Sequence, residues 1–129
     1  MGFASLLTTI TTYFATLATT NSWSVVYDND PTATPTSGLW MEFNIDFGES
    51  EQKELGINSY RNPGNVIIKI KNDAGLGLGG ILAEVDIVAA AFRSQNIGDA
   101  VFRVPRIVKV GRIGELYQVN IICPFYLDN

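Results

Sequence analysis

The chain has 129 residues and a formal net charge of −4, with 47% hydrophobic and 17% charged residues. This length and composition predict a single globular domain, residues 1–129. The acidic balance disfavours nonspecific binding to nucleic acid or anionic membranes. The chain contains no histidine, which excludes Ser-His and Cys-His nucleophile pairs and removes the commonest general base. We therefore expect a protein that is not an enzyme.

The single cysteine and the N-terminal segment indicate whether the chain has a disulfide, a signal peptide or a membrane span. Cys123 lies inside the apolar run "VNIICPFYL", which predicts a buried thiol, and one cysteine permits no intrachain disulfide. Residues 1–20 have no basic region and no sustained apolar core, so the sequence predicts neither a signal peptide nor a membrane span.

Residues 3–19 have apolar side chains at three- and four-residue steps, which predicts an amphipathic helix. The opposite face carries threonine where a solvated helix normally carries Lys and Glu, and no charged residue precedes Asp28. Two interpretations stay open. The threonines form a tolerated surface, or they pack on another subunit, in which case the candidate contact residues are Thr8 and Thr12.

The next segments are predicted strands joined by polar connections. "WSVVY" (23–27) and "LWMEFNIDF" (39–47) are strands, and the loop between them contains two prolines, with Asp28 and Asp30 explained by turn chemistry and not by a metal site. A long polar segment then leads to the strand "NVIIKIK" (65–71). We therefore predict an extended hairpin with an arm or long loop, about residues 48–62, that leaves the body of the domain.

The segment "NDAGLGLGGILAEVD" (72–86) places Gly75, Gly77 and Gly80 in the spacing G-x-G-x-x-G, which is typical of dinucleotide-binding turns. That fold also needs an acidic residue at the end of the next parallel strand. The only acid at a suitable distance, Asp99, precedes the following strand. We therefore predict no cofactor and interpret the glycines as a sharp or closely packed strand-to-helix connection.

Residues 81–92 show a second helical stripe, and the strands "AVFRVP", "RIVKVGR" and "LYQVNIICPFYL" follow, the last two joined as a hairpin. The predicted order is α-β-β-β-α-β-β-β. This order predicts an α+β fold, in which a largely antiparallel or mixed sheet packs with two helices and carries an extended hairpin or loop arm.

Charge is segregated along the chain. From Asp28 to Glu54 there are seven acids and one base, whereas from Arg103 to Arg112 there are four bases and no acid. This segregation fits head-to-tail contacts between subunits, and it fits equally intrachain pairing or a weak nucleic-acid face. On the first interpretation, the candidate contact residues are Glu49, Glu51, Glu54, Arg103, Arg106, Lys109 and Arg112.

A series of landmarks extends over nearly the whole chain. It begins with the amphipathic helix, a short strand containing Trp23, an acidic proline-containing loop and an aromatic strand running into "GESEQKELG". An Arg61-containing turn into "VIIKI", a Gly-rich connection to the second helix and a closing "PFYLDN" complete it. This order resembles that of the tail terminator proteins of long-tailed bacteriophages. The uncharged Thr-rich helix departs from the family, whose helices of this type usually carry charges.

The resemblance implies a structural virion protein without catalytic or cofactor-binding residues. Such a protein forms a hexameric ring that caps the tail tube, ends tube polymerisation and provides the surface for head attachment. The implied partners are other copies of the chain, the tail tube protein and a head-completion or connector protein. DNA passes through the channel without specific binding, and no membrane is involved. Arg61 joins the candidate interface residues, and the implied location is the head-proximal end of the virion tail, after assembly in the bacterial host cytoplasm.

Two other functions stand as alternatives. A head–tail connector or tail-completion protein of the phage neck shares the ring-forming profile without catalytic residues. A nucleotide-binding enzyme would depend on the glycine motif alone.

Overall fold

The structure is a computed structural model that describes residues 2–27, 38–48, 51–52, 60–73 and 79–128. In this part of the chain, two helices pack with a curled, mixed sheet of eight strands, so the predicted α+β fold is confirmed. The helices are α1 (Phe3–Asn21) and α2 (Gly79–Phe92). The strands are β1 (Ser24–Tyr27), β2 (Trp40–Phe47), β3 (Glu51–Gln52), β4 (Tyr60–Asp73), β5 (Asn96–Ile97), β6 (Ala100–Phe102), β7 (Arg106–Ile113) and β8 (Leu116–Asp128).

The strand order is β1-β2-β4-β8-β6-β5, with β3 beside β4 and β7 beside β8. At the centre, β4 and β8 are antiparallel from Arg61 opposite Asp128 to Asp73 opposite Leu116. The other pairs are also antiparallel, except that β1 runs parallel to β2. The sheet is therefore mixed only at one edge.

Alternating side chains give the central strands two different faces. In β4, Ile68 is fully buried while its neighbours Ile67 and Lys69 are only partly buried, and β8 alternates in the same way. Paired residues on adjacent strands point to the same side of a sheet, so the buried side chains of the strands form one surface. We call this surface, which both helices cover, the helix face, and the opposite surface the open face.

The hydrophobic core lies between the helices and the helix face. From α1, Leu6, Ile10 and Phe14 are fully buried, and they recur at the spacing that places them on one side of a helix. The Phe14 ring stacks on Phe43 of β2 at a centroid distance of 4.7 Å, and it also lies beside Phe92 of α2. Phe14 of α1 therefore contacts both the sheet and α2.

Several element boundaries differ from the predicted ones. Helix α1 continues to Asn21 and ends at Ser22, which has the left-handed backbone conformation (φ 58°) common at helix ends. β4 begins at Tyr60, so Arg61 lies in a strand and not in a turn, because its backbone pairs with β8 on one side and β3 on the other. Residues 49–50 and 53–59 of the predicted arm lie outside the described part of the chain.

Gly64 gives a test of how closely the sheet is packed. An added Cβ would lie 2.5 Å from Cζ of Phe125 and 2.8 Å from the carbonyl oxygen of Asp46, both closer than van der Waals contact. We expect Gly64→Ala to lower the free energy of unfolding by about 1–3 kcal/mol, since overpacking forces neighbouring atoms to move. Urea denaturation followed by circular dichroism measures the change.

Gly79→Ala is the matched control, because a Cβ at Gly79 meets no atom within 4 Å and the residue begins α2. We expect no loss of stability for this variant. Equal unfolding midpoints for the two variants would contradict the close packing at Gly64.

Candidate interface

The described strands cover only half of each edge of the sheet. On one side, β1 pairs with Trp40–Phe43 of β2, and no described strand pairs with the outer edge of Asn44–Phe47. On the other side, β5 covers β6, while β7 pairs with β8 alone among the described strands. Uncovered strand edges are sites where further chain can add to a sheet.

A groove of about 530 Å³ borders the uncovered half of β2. One wall is the threonine-rich side of α1, with Leu7, Thr8 and Thr12, and the floor includes Ile45 and Phe47 of β2. Phe47 is 43% exposed, although Phe3 contacts it edge-to-face at 4.9 Å. The groove is therefore open and partly apolar, and none of its lining residues in the described part of the chain is charged.

The threonine hydroxyls of α1 are largely satisfied within the helix. Thr8 Oγ1 donates to the carbonyl of Ala4 at 3.1 Å, and Thr9 Oγ1 donates to that of Ser5 at 2.8 Å. Thr16, Thr19 and Thr20 each bond the carbonyl four residues earlier in the same way. Because these donors already have partners, covering this face would leave few of them unsatisfied. An exposed helix surface without charge is thus suited to contact with protein.

A second groove, of about 550 Å³, lies on the other side of α1. Its walls are Thr16 and Leu17 of the helix and the turn between β5 and β6 around Gly98. Thr12 borders both grooves. Of the two predicted helix contact residues, Thr8 therefore lies at the first groove alone, and Thr12 lies on the ridge between them.

The predicted basic residues are spread along one side of the sheet. Arg106, Lys109 and Arg112 are exposed on β7, and Arg103 precedes this strand with its guanidinium 5.1 Å from the centre of the Tyr126 ring. No ion pair joins these four bases to an acid in the described part of the chain. The same stretch exposes apolar side chains that the sequence analysis did not single out: Val104, Ile107, Val110 and Ile113.

Arg61 has an ion-pair partner within the chain, and of the three predicted acidic residues only Glu51 lies in the described part. Arg61 forms a two-bond ion pair with Asp128, at 2.9 and 3.1 Å, and its guanidinium lies 4.1 Å from the centre of the Tyr126 ring. Arg61 therefore helps to fix β8 against β4 within one chain. Glu51 pairs through its backbone with Arg61, and Glu49 and Glu54 lie outside the described residues.

One acid of the segment from Asp28 to Glu54 forms an ion pair on the open face. Lys71 Nζ lies 2.9 Å from Glu42 Oε1 and 4.7 Å from the centre of the Trp40 ring. Asp46, nearer the uncovered end of β2, is exposed. Intrachain pairing thus accounts for Glu42, whereas contact between subunits stays a prediction for Glu49, Glu51 and Glu54.

The structure places the glycine motif in a connection between β4 and α2. Gly80 lies in the first turn of α2, whereas Gly75 and Gly77 lie outside the described residues. β4 and β6 are both antiparallel to β8, which lies between them. A dinucleotide crevice forms beside parallel strands at a point where the strand order reverses. The described strands before and after α2, which are β4 on one side and β5 and β6 on the other, do not include two neighbouring parallel strands.

Chemically reactive groups are sparse in the described residues. They contain no cluster of three or more Cys, Asp or Glu residues that would suit a metal ion. No described helix has the length and apolar character needed to cross a bilayer. Cys123 is fully buried in β8, as its apolar surroundings predicted, and burial raises the pKa of its thiol to about 12.

The raised pKa of Cys123 predicts an inert thiol. Only the thiolate reacts readily with disulfide reagents, so the folded protein should not be labelled by an aromatic disulfide at about pH 8, whereas the unfolded protein should be labelled once. Absorbance of the released thiolate measures the reaction. Thr19→Cys, on the exposed side of α1, is the positive control and should react in the folded state. Rapid labelling of the folded parent protein would contradict the burial.

Comparison with known proteins bears on the fold. No protein-family model and no curated protein matches the chain. A solved protein structure whose name states no function superposes on it with a TM-score of 0.74 at 13% sequence identity, over 98% of this chain and 95% of the other. At this identity, the likeness establishes a shared architecture over nearly the whole length and nothing about activity.

Proposed function

We propose that this protein is a structural virion protein that caps a phage tail tube as a ring. In this role it ends tube polymerisation and provides the surface for head attachment. The observation that carries the proposal is the pair of half-covered sheet edges, one exposing Asp46 and the other exposing Arg106, Lys109 and Arg112. Different, oppositely charged surfaces at the two sides of one domain favour head-to-tail association, and a head-to-tail contact that closes makes a ring.

The order of sequence landmarks supports the more specific role of tail terminator. A tube built from stacked rings continues to grow while its end offers the same surface as each added ring. A terminator ends growth because it binds that end with one surface and presents another to the head connector. The partners in this proposal are further copies of the chain, the tail tube protein and a head-completion or connector protein. DNA then passes through a channel that does not hold it specifically.

The described surface beside α1 suits contact with protein. The two grooves along this helix are lined mainly by threonine and apolar side chains, and the thiol of Cys123 is buried. The net charge of −4 opposes tight retention of DNA phosphates. A connector or completion protein of the phage neck has the same general requirements and is the second candidate.

Electron microscopy of particles assembled without this chain tests the proposal. We expect tail tubes that exceed the normal length and vary from particle to particle, because nothing ends their growth. Complementation with the intact chain is the control and should restore a uniform length. Tails of normal length that fail to attach to heads would overturn the terminator role and identify a connector.

A further inference from the structure

We propose that the outer edge of β7 binds an extended acidic segment of a different protein, which adds to the sheet as one further strand. The segment carries two acidic residues with two apolar residues between them. This inference goes beyond the proposed ring, because a ring needs contact between charged surfaces and does not need paired strands.

The outer edge of β7 begins where the cover of β6 ends. Residues 79–128 are described without a gap. The chain before β5 is hydrogen-bonded to the end of β6, where the carbonyl of Arg103 accepts from Ser94 N at 3.3 Å. Beyond Arg103, β7 has β8 on one side, and no described strand pairs with its other side.

The regular part of β7 is four residues long. Its pairing with β8 continues without interruption from Arg106 to Lys109, and a bulge follows before Gly111. A bulge bends its strand, so the stretch before it is the part suited to further pairing. At about 3.3 Å per residue this stretch spans about 13 Å, enough for a short extended segment.

A hydrogen bond of β8 shows which peptide groups face β7. Arg103 N donates to the carbonyl oxygen of Pro124 at 2.9 Å, so Pro124 turns its carbonyl toward the side of β6 and β7. Peptide groups alternate in direction along a strand of an antiparallel pair. Ile122, two residues before Pro124, therefore faces the same side and bonds its partner Arg106.

The same alternation directs two peptide groups of β7 outward. Arg106 faces β8, and so does Val108, two residues later. Ile107 and Lys109 therefore direct their N–H and C=O groups away from β8, where no described strand pairs with them. An added strand can bond these donors and acceptors, which is how extended segments bind at sheet edges.

The side chains of this stretch determine the sequence that fits. Ile107 and Lys109 pair with buried residues of β8 and lie on the helix face, whereas Arg106 and Val108 lie on the open face. The stretch thus has a base at each end and apolar side chains between them. A complementary strand has an acid opposite Arg106, an acid opposite Lys109 and apolar residues in the middle.

Exposed apolar side chains favour protein over nucleic acid as the partner. Four of them occur from the start of this edge to its end, with exposed fractions of 41–64%: Val104, Ile107, Val110 and Ile113. Phosphates would pair with the bases and leave these side chains in water, whereas a protein strand covers apolar and charged groups together. No described acid forms an ion pair with Arg106 or Lys109.

The described strand edges of this chain do not supply the complementary segment. A second β7 would place bases opposite bases. The outer strands β1 and β5 contain no acid, and β3 has only two residues. An antiparallel β2 that places Ile107 opposite Phe47 would direct Lys109 into the groove beneath α1, where no described lining residue is charged. The occupant is therefore a different protein.

A short peptide with the complementary pattern tests the proposal. The probe is Thr-Glu-Val-Val-Glu-Thr, blocked at both ends, whose central residues match Arg106–Lys109 in either strand direction. At a peptide concentration about ten times its Kd, we expect amide hydrogen exchange of Ile107 and Lys109 to slow about tenfold. Nuclear magnetic resonance measures the exchange. The amides of Ile45 and Phe47, at the opposite edge of the sheet, are the control and should not change.

Charge reversal tests the acidic character of the partner. We expect Lys109→Glu to weaken binding of the peptide about fivefold, since opposite charges across two strands attract and like charges repel. Fluorescence anisotropy of labelled peptide measures the Kd. Arg93→Glu makes the same change in net charge at an exposed residue outside β7 and is the matched control. The variant Lys109→Glu should in turn bind Thr-Lys-Val-Val-Lys-Thr more tightly than the parent protein does.

Four results would overturn the proposal. Peptide binding that leaves the exchange of Ile107 and Lys109 unchanged would mean that the bases attract anions without strand addition. Equal affinity of the parent protein for both peptides would exclude an acidic partner. Tighter binding of a duplex DNA oligonucleotide at β7 would assign the bases to nucleic acid. Slow exchange of the same two amides on self-association, without peptide, would assign the edge to a second copy.

Discussion

β4 and β8 pair along nearly their whole lengths, although α2 and three strands separate them in the chain. Their alternating side chains supply the centre of the core, with Ile68 and Ile121 in register and both fully buried. Every other described strand connects to this pair, since β2 and β3 border β4 while β6 and β7 border β8. The bidentate contact between Arg61 and Asp128 lies at one end of the pair and favours this register over a slipped one.

The central pair also decides where the helices lie. One face of the central pair is continuously apolar, and both helices pack on that face. The open face carries polar and aromatic side chains, such as Lys71 and the Trp40 ring that it contacts. Helix α1 buries a single stripe through Phe14 and its neighbours and leaves the threonines outward. Five of their hydroxyls donate to carbonyls within the helix, so this uncharged surface can be covered by protein with little loss of hydrogen bonds.

The sheet ends differently on its two sides, and this asymmetry connects the fold to the proposed function. Among the described strands, the short parallel strand β1 pairs with half of β2. The two-residue strand β5 pairs with β6 and not with β7. Edges of this kind invite pairing unless they are protected. On the proposed ring, the bases of β7 oppose pairing with another copy of β7 and favour contact with an acidic edge.

The sequence by itself determined the class of the fold, the two helices, the β7–β8 hairpin and the burial of Cys123, because helical and strand periodicities and apolar runs are local patterns. It also identified the uncharged helix and the separated charges. It could not determine that β1 runs parallel to β2, that β4 begins at Tyr60, or that Arg61 is bound to Asp128, since these depend on residues far apart in the chain. The sequence also gave no sign that Phe47 and Ile107 are exposed, because each occurs in a regular apolar pattern. Only the tertiary structure decided that α1 leaves a groove beside Phe47. It also decided that no described strand pairs with the outer edge of β7, on which Ile107 lies.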